Sequence, residues 1–270
     1  MNFEEFWTRG DVHERVKIAL KEANLLEKKL EIEDLFPLDQ YHARGIAATI
    51  ELADKLNFAQ NSTIIDIGCG LGGPARYFSK RFNCNVYGID ITEAFIEIGN
   101  YFNKLTHIDH QVTLLKGDGE NLPYQTEFFD GAVSQHVTMN IENREQFFNE
   151  AFRVLKKGAI FGFSEHGLGT KGSPIFPLPW ADNEDMSFLK TPEYTKSLLK
   201  KIGFKNIKII STGEKYISGY NSLLKKGQSN EKPTLGIHVI GGDSMLERSK
   251  NSMRSIIENR TYPFEIICNR

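Results

Sequence analysis

Asp66-Ile67-Gly68-Cys69-Gly70-Leu71-Gly72-Gly73-Pro74 is a glycine-rich turn that leaves one apolar run and enters a helical pattern. The run before it, Thr63–Ile67, is β-branched and reads as a strand, and the pattern after it reads as a helix over about Pro74–Arg81. Glycines let the backbone take positive φ and approach a ligand closely, and proline is pre-set for a first helical turn. Downstream the alternation repeats. Asn85–Asp90 reads as a second strand, Glu93–Leu105 as a helix, Val112–Lys116 as a third strand and Asp130–Ser134 as a fourth. A helix then starts with Asn143 as N-cap and Gln146 in the capping-box position, and ends before Gly158. Ala159–Glu165 reads as a fifth strand.

Strands alternating with helices are the rhythm of a parallel sheet with crossover connections. Thr191-Pro192-Glu193 restarts a helix that Gly203 ends, and Ile207–Ile210 and Phe264–Cys268 supply a sixth and a seventh strand. The expected fold is α/β: a Rossmann-like, mostly parallel seven-stranded sheet with helices on both faces. An N-terminal helical lid, residues 1–60, precedes the sheet domain of residues 61–270. The lid holds helices near Val12–Leu25 and His42–Leu56, with Pro37 breaking the chain between them. Residues 167–190, around Trp180 and Phe188, interrupt the rhythm and read as an inserted substrate lid after the fifth strand.

With 270 residues, 40% of them hydrophobic and 25% charged, the chain can bury one full core. Its net charge of −2 is spread along the sequence, which speaks against a nucleic-acid partner. No apolar stretch approaches the roughly 20 residues that span a bilayer, and the acidic start is unlike a secretory signal, so a cytoplasmic protein is expected. Cys69, Cys84 and Cys268 form neither a disulfide framework nor a metal-ligand spacing; free thiols and no metal are expected.

Gly68, Gly70 and Gly73 satisfy the dinucleotide fingerprint, and Asp90 sits at the end of the second strand, where a carboxylate accepts hydrogen bonds from ribose hydroxyls. A pyrophosphate would need free amides at the helix N-terminus, and Pro74 removes one of them. S-adenosylmethionine carries a sulfonium, an ammonium and a carboxylate but no phosphate, so it tolerates an acid such as Asp66 beside the loop.

Ile65-Asp66-Ile67-Gly68-Cys69-Gly70, Asp90, Gly117-Asp118-Gly119-Glu120-Asn121-Leu122-Pro123 and Phe129-Asp130-Gly131-Ala132-Val133 follow one another in an order that resembles the class I S-adenosylmethionine-dependent methyltransferases. Leu38-Asp39-Gln40-Tyr41-His42, Gly70-Leu71-Gly72-Gly73-Pro74-Ala75-Arg76-Tyr77, Gln135-His136-Val137-Thr138-Met139-Asn140-Ile141 and Phe176-Pro177-Leu178-Pro179-Trp180-Ala181 resemble small-molecule enzymes related to sarcosine and dimethylglycine N-methyltransferases. The resemblance implies that Gly68, Cys69 and Gly70 face the methionine part of the cofactor and that Asp90 holds its ribose. It also implies that Ile91, Asp118 and Gly119 border its adenine, that Ser134 and Gln135 line the sheet's carboxyl edge, and that Gln40 and Tyr41 close over it. Arg44 departs from the small residue expected there.

Methyl transfer is an in-line displacement that needs a positioned nucleophile and a water-poor site. His136 is the candidate general base; its other reading is a neutral histidine that only hydrogen-bonds the cofactor or backbone. Arg76 either reaches the cofactor's carboxylate or is an ordinary solvated helix residue with its stem packed. Trp180 either walls the acceptor pocket, where its face favours a methylated amine, or anchors the lid; Met139 and Asn140 either touch the acceptor or fill the core. His42 and His166 are weaker candidates for ligand contact. The leading expectation is a small-molecule acceptor, an amine such as a glycine derivative, and Asp182, Glu184 and Asp185 in the insertion favour a polar or cationic one. The alternatives are a C- or O-methyltransferase of a quinone, tocopherol-like or other lipid ring, a nicotinamide-dependent oxidoreductase, and a cofactor-binding module without turnover.

Overall fold

The strands β1 (Thr63–Ile67), β2 (Asn85–Asp90), β3 (Val112–Lys116), β4 (Phe129–Gln135), β5 (Leu155–Leu168), β6 (Lys205–Ser211) and β7 (Thr261–Asn269) form one sheet in the computed structural model, which describes residues 3–8, 10–26, 29–227 and 233–270. Their order is β3-β2-β1-β4-β5-β7-β6, and β7 runs antiparallel between β5 and β6 while the rest are parallel. In β1 all but the first residue are buried, as a strand covered on both faces requires. Because successive side chains point to opposite faces, Ile64 packs under α4 (Ile46–Leu56), α5 (Gly73–Phe82) and α6 (Glu93–Leu105). Ile65 and Ile67 pack under α7 (Arg144–Val154) and α8 (Pro192–Ile202). The seven-stranded α/β expectation is met.

Strand order reverses between β1 and β4, so the crevice at their carboxyl ends is the ligand-binding place of such a sheet. A further layer covers that edge. It joins α1 (Phe3–Trp7), α2 (Val12–Glu22) and α3 (Ile32–Asp39) with α9 (Gly213–Gly227), α10 (Ile237–Gly241) and α11 (Met245–Ile257), which lie between β6 and β7. Val16, Leu20, Leu38, Val239 and Ile240 share one apolar cluster with Leu71 of the glycine turn. Arg15 ties the two segments by donating to the carbonyls of Val239 (2.8 Å) and Ile240 (3.0 Å).

Several local expectations are corrected. Pro37 does not break the chain but sits inside α3. It is exposed on the same face as Glu33, so the carbonyl that loses an amide partner faces water. The helix expected over Val12–Leu25 is α2 and ends at Glu22, and His42 lies in the turn before α4. Asn143 caps α7 through the Gln146 amide (3.2 Å), but the Gln146 side chain donates to the Glu120 carbonyl (3.0 Å) and does not close a capping box. β5 starts directly after α7 and runs to Leu168, so the insertion begins there. Thr191 and Gly203 cap α8 as expected. All three cysteines are free and buried.

Candidate active site

The turn after β1 is fastened to β2: the Gly68 and Cys69 amides both donate to the Ile89 carbonyl, at 2.7 and 3.0 Å. Gly68 has φ +81°, and a Cβ there would stand 2.1 Å from Val137 Cγ2, so only glycine lets the turn pack against the segment after β4. Gly70 (φ +53°) has open space where a side chain would be. The Cys69 side chain points into the core, which leaves its backbone at the crevice.

Asp90 accepts from the Gly70 amide (2.8 Å) and the Thr92 amide (2.9 Å), which holds one carboxylate against the turn. Asp66 is 1% exposed, and its Oδ2 has no hydrogen-bond partner. Burial, with the Asp90 charge adding, pushes the Asp66 carboxyl up to about 8. Ile91 is 49% exposed just beyond Asp90. Asp118 turns its carboxylate onto the Glu120 amide (2.8 Å) in the connection after β3.

Across the crevice His136 follows β4 with φ +60°, a conformation costly for a side chain of this kind, and its amide donates to the Ser164 carbonyl (2.8 Å). Its Nε2 lies 2.6 Å from the Tyr216 hydroxyl of α9, a short hydrogen bond. His42 stacks on His136 with centroids 5.8 Å apart, and His166 lies 5.5 Å from His136 and 4.6 Å from Trp180. Burial lowers His42 to about 4 and His166 to about 3, and burial with the neighbouring rings and Arg44 holds His136 well below its ordinary 6.5. All three rings are therefore neutral at pH 7. The Thr49 hydroxyl donates to Gln40 Oε1 (2.7 Å) and lies 3.2 Å from Gln135 Oε1, leaving both buried amide nitrogens unpartnered.

Some candidates serve the scaffold. Arg76, expected on a cofactor carboxylate, is 0% exposed and donates to Asp39 (2.9 Å), Asn103 Oδ1 (2.7 Å) and the carbonyls of Leu71 and Gly99. It joins α3, α5 and α6, and four of its hydrogen bonds are spent within the fold. Ser134 spends its hydroxyl on the Ile67 carbonyl (2.7 Å), bracing β1 against β4 instead of turning to a ligand. Tyr41 packs edge-on to Trp7 and reaches Met245 Sδ (3.6 Å), so it is part of the covering layer.

In the insertion, Asn140 donates to the carbonyls of Trp180 (2.9 Å) and Met186 (3.1 Å), and Trp180 donates to Ser187 (3.0 Å). Met139 and Trp180 share a buried apolar cluster. Met139 is packed, the Asn140 amide nitrogen is spent within the fold, and Trp180 is buried in the insertion with one face toward His166. Asp182 pairs with Arg248, so its charge is spent within the fold. A groove of about 490 Å³ opens under the insertion, bordered by Thr170, Pro174, Phe176 and Glu184 among others. Asp66, Asp90 and His136 do not line it; they face the crevice at the end of β1 and β4.

Tyr216 and Thr49 carry no local sequence signal. One comes from a helix eighty positions after His136, and the other looks like an ordinary residue of an amphipathic helix.

Residues 65–163 match the family model described as a methyltransferase domain. The chain is 26% identical over 221 residues to the sarcosine/dimethylglycine N-methyltransferase of Halorhodospira halochloris, covering 82% of this chain and 77% of that protein. It is 33% identical over 114 residues to the sterol 24-C-methyltransferase of Candida albicans, covering 42% of this chain but only 30% of the relative's length. The structure of Haemonchus contortus phosphoethanolamine N-methyltransferase 2 in complex with S-adenosyl-L-methionine superposes with a TM-score of 0.76 at 16% identity, over 100% of this chain and 60% of that one, a likeness of fold. Residues 65–163 thus carry a methyltransferase domain, and in sequence and fold the chain is similar to S-adenosylmethionine-dependent methyltransferases that act on small molecules. Among the described residues, no helix is long and apolar enough to cross a membrane.

Proposed function

We propose that the chain binds S-adenosylmethionine along Asp66, Gly68–Gly70, Asp90 and Ile91 and directs its methyl group to the nitrogen of a small amine beside His136. The buried Asp66 carboxyl beside the half-buried Asp90 is the observation that carries this reading. An unpartnered carboxyl raised to about 8 is stabilised as an anion by an arriving cation and would be opposed by a pyrophosphate. The other groups fit the same ligand: Asp90 retains lone pairs for a diol, Ile91 offers an apolar face, and the free amide groups of Gln40 and Gln135 can donate to a carboxylate.

When bound, S-adenosylmethionine supplies an electrophilic methyl carbon on a sulfonium. The chain's own residues hold the acceptor and exclude water. His136 is too weak a base to take a proton from an ordinary ammonium, so it acts by hydrogen bonding, with Tyr216 fixing its ring. Burial of the acceptor favours its neutral, nucleophilic form. An amine acceptor is supported over a lipid ring by the polar lining of imidazoles and hydroxyls, and by an N-methyltransferase likeness that runs over most of the chain.

Methyl-deuterated S-adenosylmethionine, offered with panels of small amines and of sterols and quinones, tests the proposal by mass spectrometry. Label on an amine nitrogen is the expected outcome; label confined to a ring carbon or oxygen would move the assignment to the lipid-ring class. Stabilisation of the fold by NAD alone would overturn both. Asp90→Ala is expected to weaken S-adenosylmethionine binding about tenfold or more, as two hydrogen bonds of roughly 0.5–1.5 kcal/mol each are lost. An unchanged Kd by calorimetry would remove Asp90 from the site.

A further inference from the structure

Arg44 stands at the rim of the histidine chamber in a conformation the fold goes out of its way to hold. Its φ is +70°, and its side chain is only 8% exposed. Gly219 of α9 lies over it so closely that a Cβ there would come within 2.9 Å of Arg44 Cγ. Nη2 is paired with Glu51, whose other oxygen takes Lys215 Nζ at 2.7 Å. Nη1 is buried and has no partner. The guanidinium carbon is 5.9 Å from the centre of the Tyr216 ring, and Tyr216 bonds His136.

The charges do not balance. Two cations share one carboxylate, and His42, His136 and His166 are neutral, so the group carries one net positive charge beside the acceptor's place. The chamber also holds unpartnered buried polar atoms, Ser164 Oγ and both ring nitrogens of His166. A buried donor left unpaired is costly, and a guanidinium N–H is best met by an oxyanion.

We propose that Arg44 is the anion anchor of the acceptor subsite: the methyl-accepting amine carries a carboxylate or phosphate, which the free Nη1 of Arg44 binds while His166 and Ser164 complete the pocket. This rests on the methyl-transfer reading for what the acceptor is, but not for whether an anion binds.

Two measurements on the full chain test it. In the first, methyl transfer is followed with N-methylglycine and phosphoethanolamine against their uncharged-tail counterparts, N-methylethylamine and ethanolamine. The native chain is expected to favour one anionic acceptor at least about tenfold in kcat/KM. Arg44→Gln raises the KM of that acceptor about ten- to a hundredfold with little change in kcat, and Arg44→Lys restores part of it. In the second, acetate and inorganic phosphate are titrated into the protein saturated with S-adenosylhomocysteine. One of them raises Tm for the native chain and not for Arg44→Gln, and which one it is separates a carboxylate acceptor from a phosphorylated one.

Glu51 keeps Lys215 as a partner in the glutamine variant, so the fold has a means to tolerate it. Methylation of amines without regard to an anionic tail, or discrimination that survives Arg44→Gln, overturns the anchor while leaving methyl transfer intact. Arg44-dependent anion binding with no amine labelled supports an anion site at Arg44 and removes the amine-acceptor reading.

Discussion

Arg76→Ala is expected to cost about 3–5 kcal/mol of folding stability, read as a lower denaturant midpoint. The side chain is fully buried and pairs with the equally buried Asp39, so its removal strands a carboxylate in the interior. Burial already raises the Asp39 carboxyl, and the Arg76 guanidinium is what opposes that rise. Two helices lose a common tie at the same time, since Arg76 also holds Asn103 of α6 and the Leu71 carbonyl. Replacing Asp39 by asparagine in the Arg76→Ala background should recover part of the loss, because the orphaned charge is then gone. A variant of native stability with weakened S-adenosylmethionine binding would instead return Arg76 to the ligand.

Asp66→Asn is expected to weaken S-adenosylmethionine binding roughly ten- to a hundredfold while making the ligand-free protein more stable. The two effects have opposite signs for one reason. Without a ligand the folded state keeps the Asp66 proton up to about pH 8, whereas the unfolded chain releases it near 3.8. Between those values the native state binds more protons, so its stability falls as pH rises, and asparagine removes that penalty. With a cationic ligand the carboxylate becomes the favoured form and its proton must leave. Affinity for the native chain should therefore rise by up to about tenfold per pH unit toward pH 8 and then level off. In Asp66→Asn this slope should be absent. Calorimetry over pH 6–9 measures it, and equal slopes in the two proteins would show that Asp66 does not meet the ligand's charge.

The sheet was legible because its signal is local and repeated. β1, β2 and β3 are each a short stretch with β-branched or aliphatic residues that ends at a turn, and the glycine motif fixes where the first crossover begins. The crevice wall formed by Asp66, the glycines and Asp90 was legible for the same reason, as these residues lie at the ends of recognisable strands. What escaped depends on contacts between distant parts of the chain. Nothing near Arg76 announces that Asp39 and Asn103 will surround it, and a loop-helix arginine looks equally apt for a carboxylate ligand. Tyr216 reaches His136 only because α9 folds back over the sheet, and the charge of Asp182 is cancelled by Arg248 from α11. Pro37 misled because a proline on a solvated face of a short helix strands a carbonyl that water can satisfy.

The covering layer is made from two stretches that the sequence keeps far apart, and Arg15 clasps them with hydrogen bonds to consecutive carbonyls of α10, 224 and 225 positions away. Neither stretch shelters the crevice by itself: one contributes His42 and Arg44, the other Tyr216. Loss of the Arg15 side chain would therefore disturb both walls of the cleft at once, because the same two bonds and one apolar cluster join the stretches that carry them.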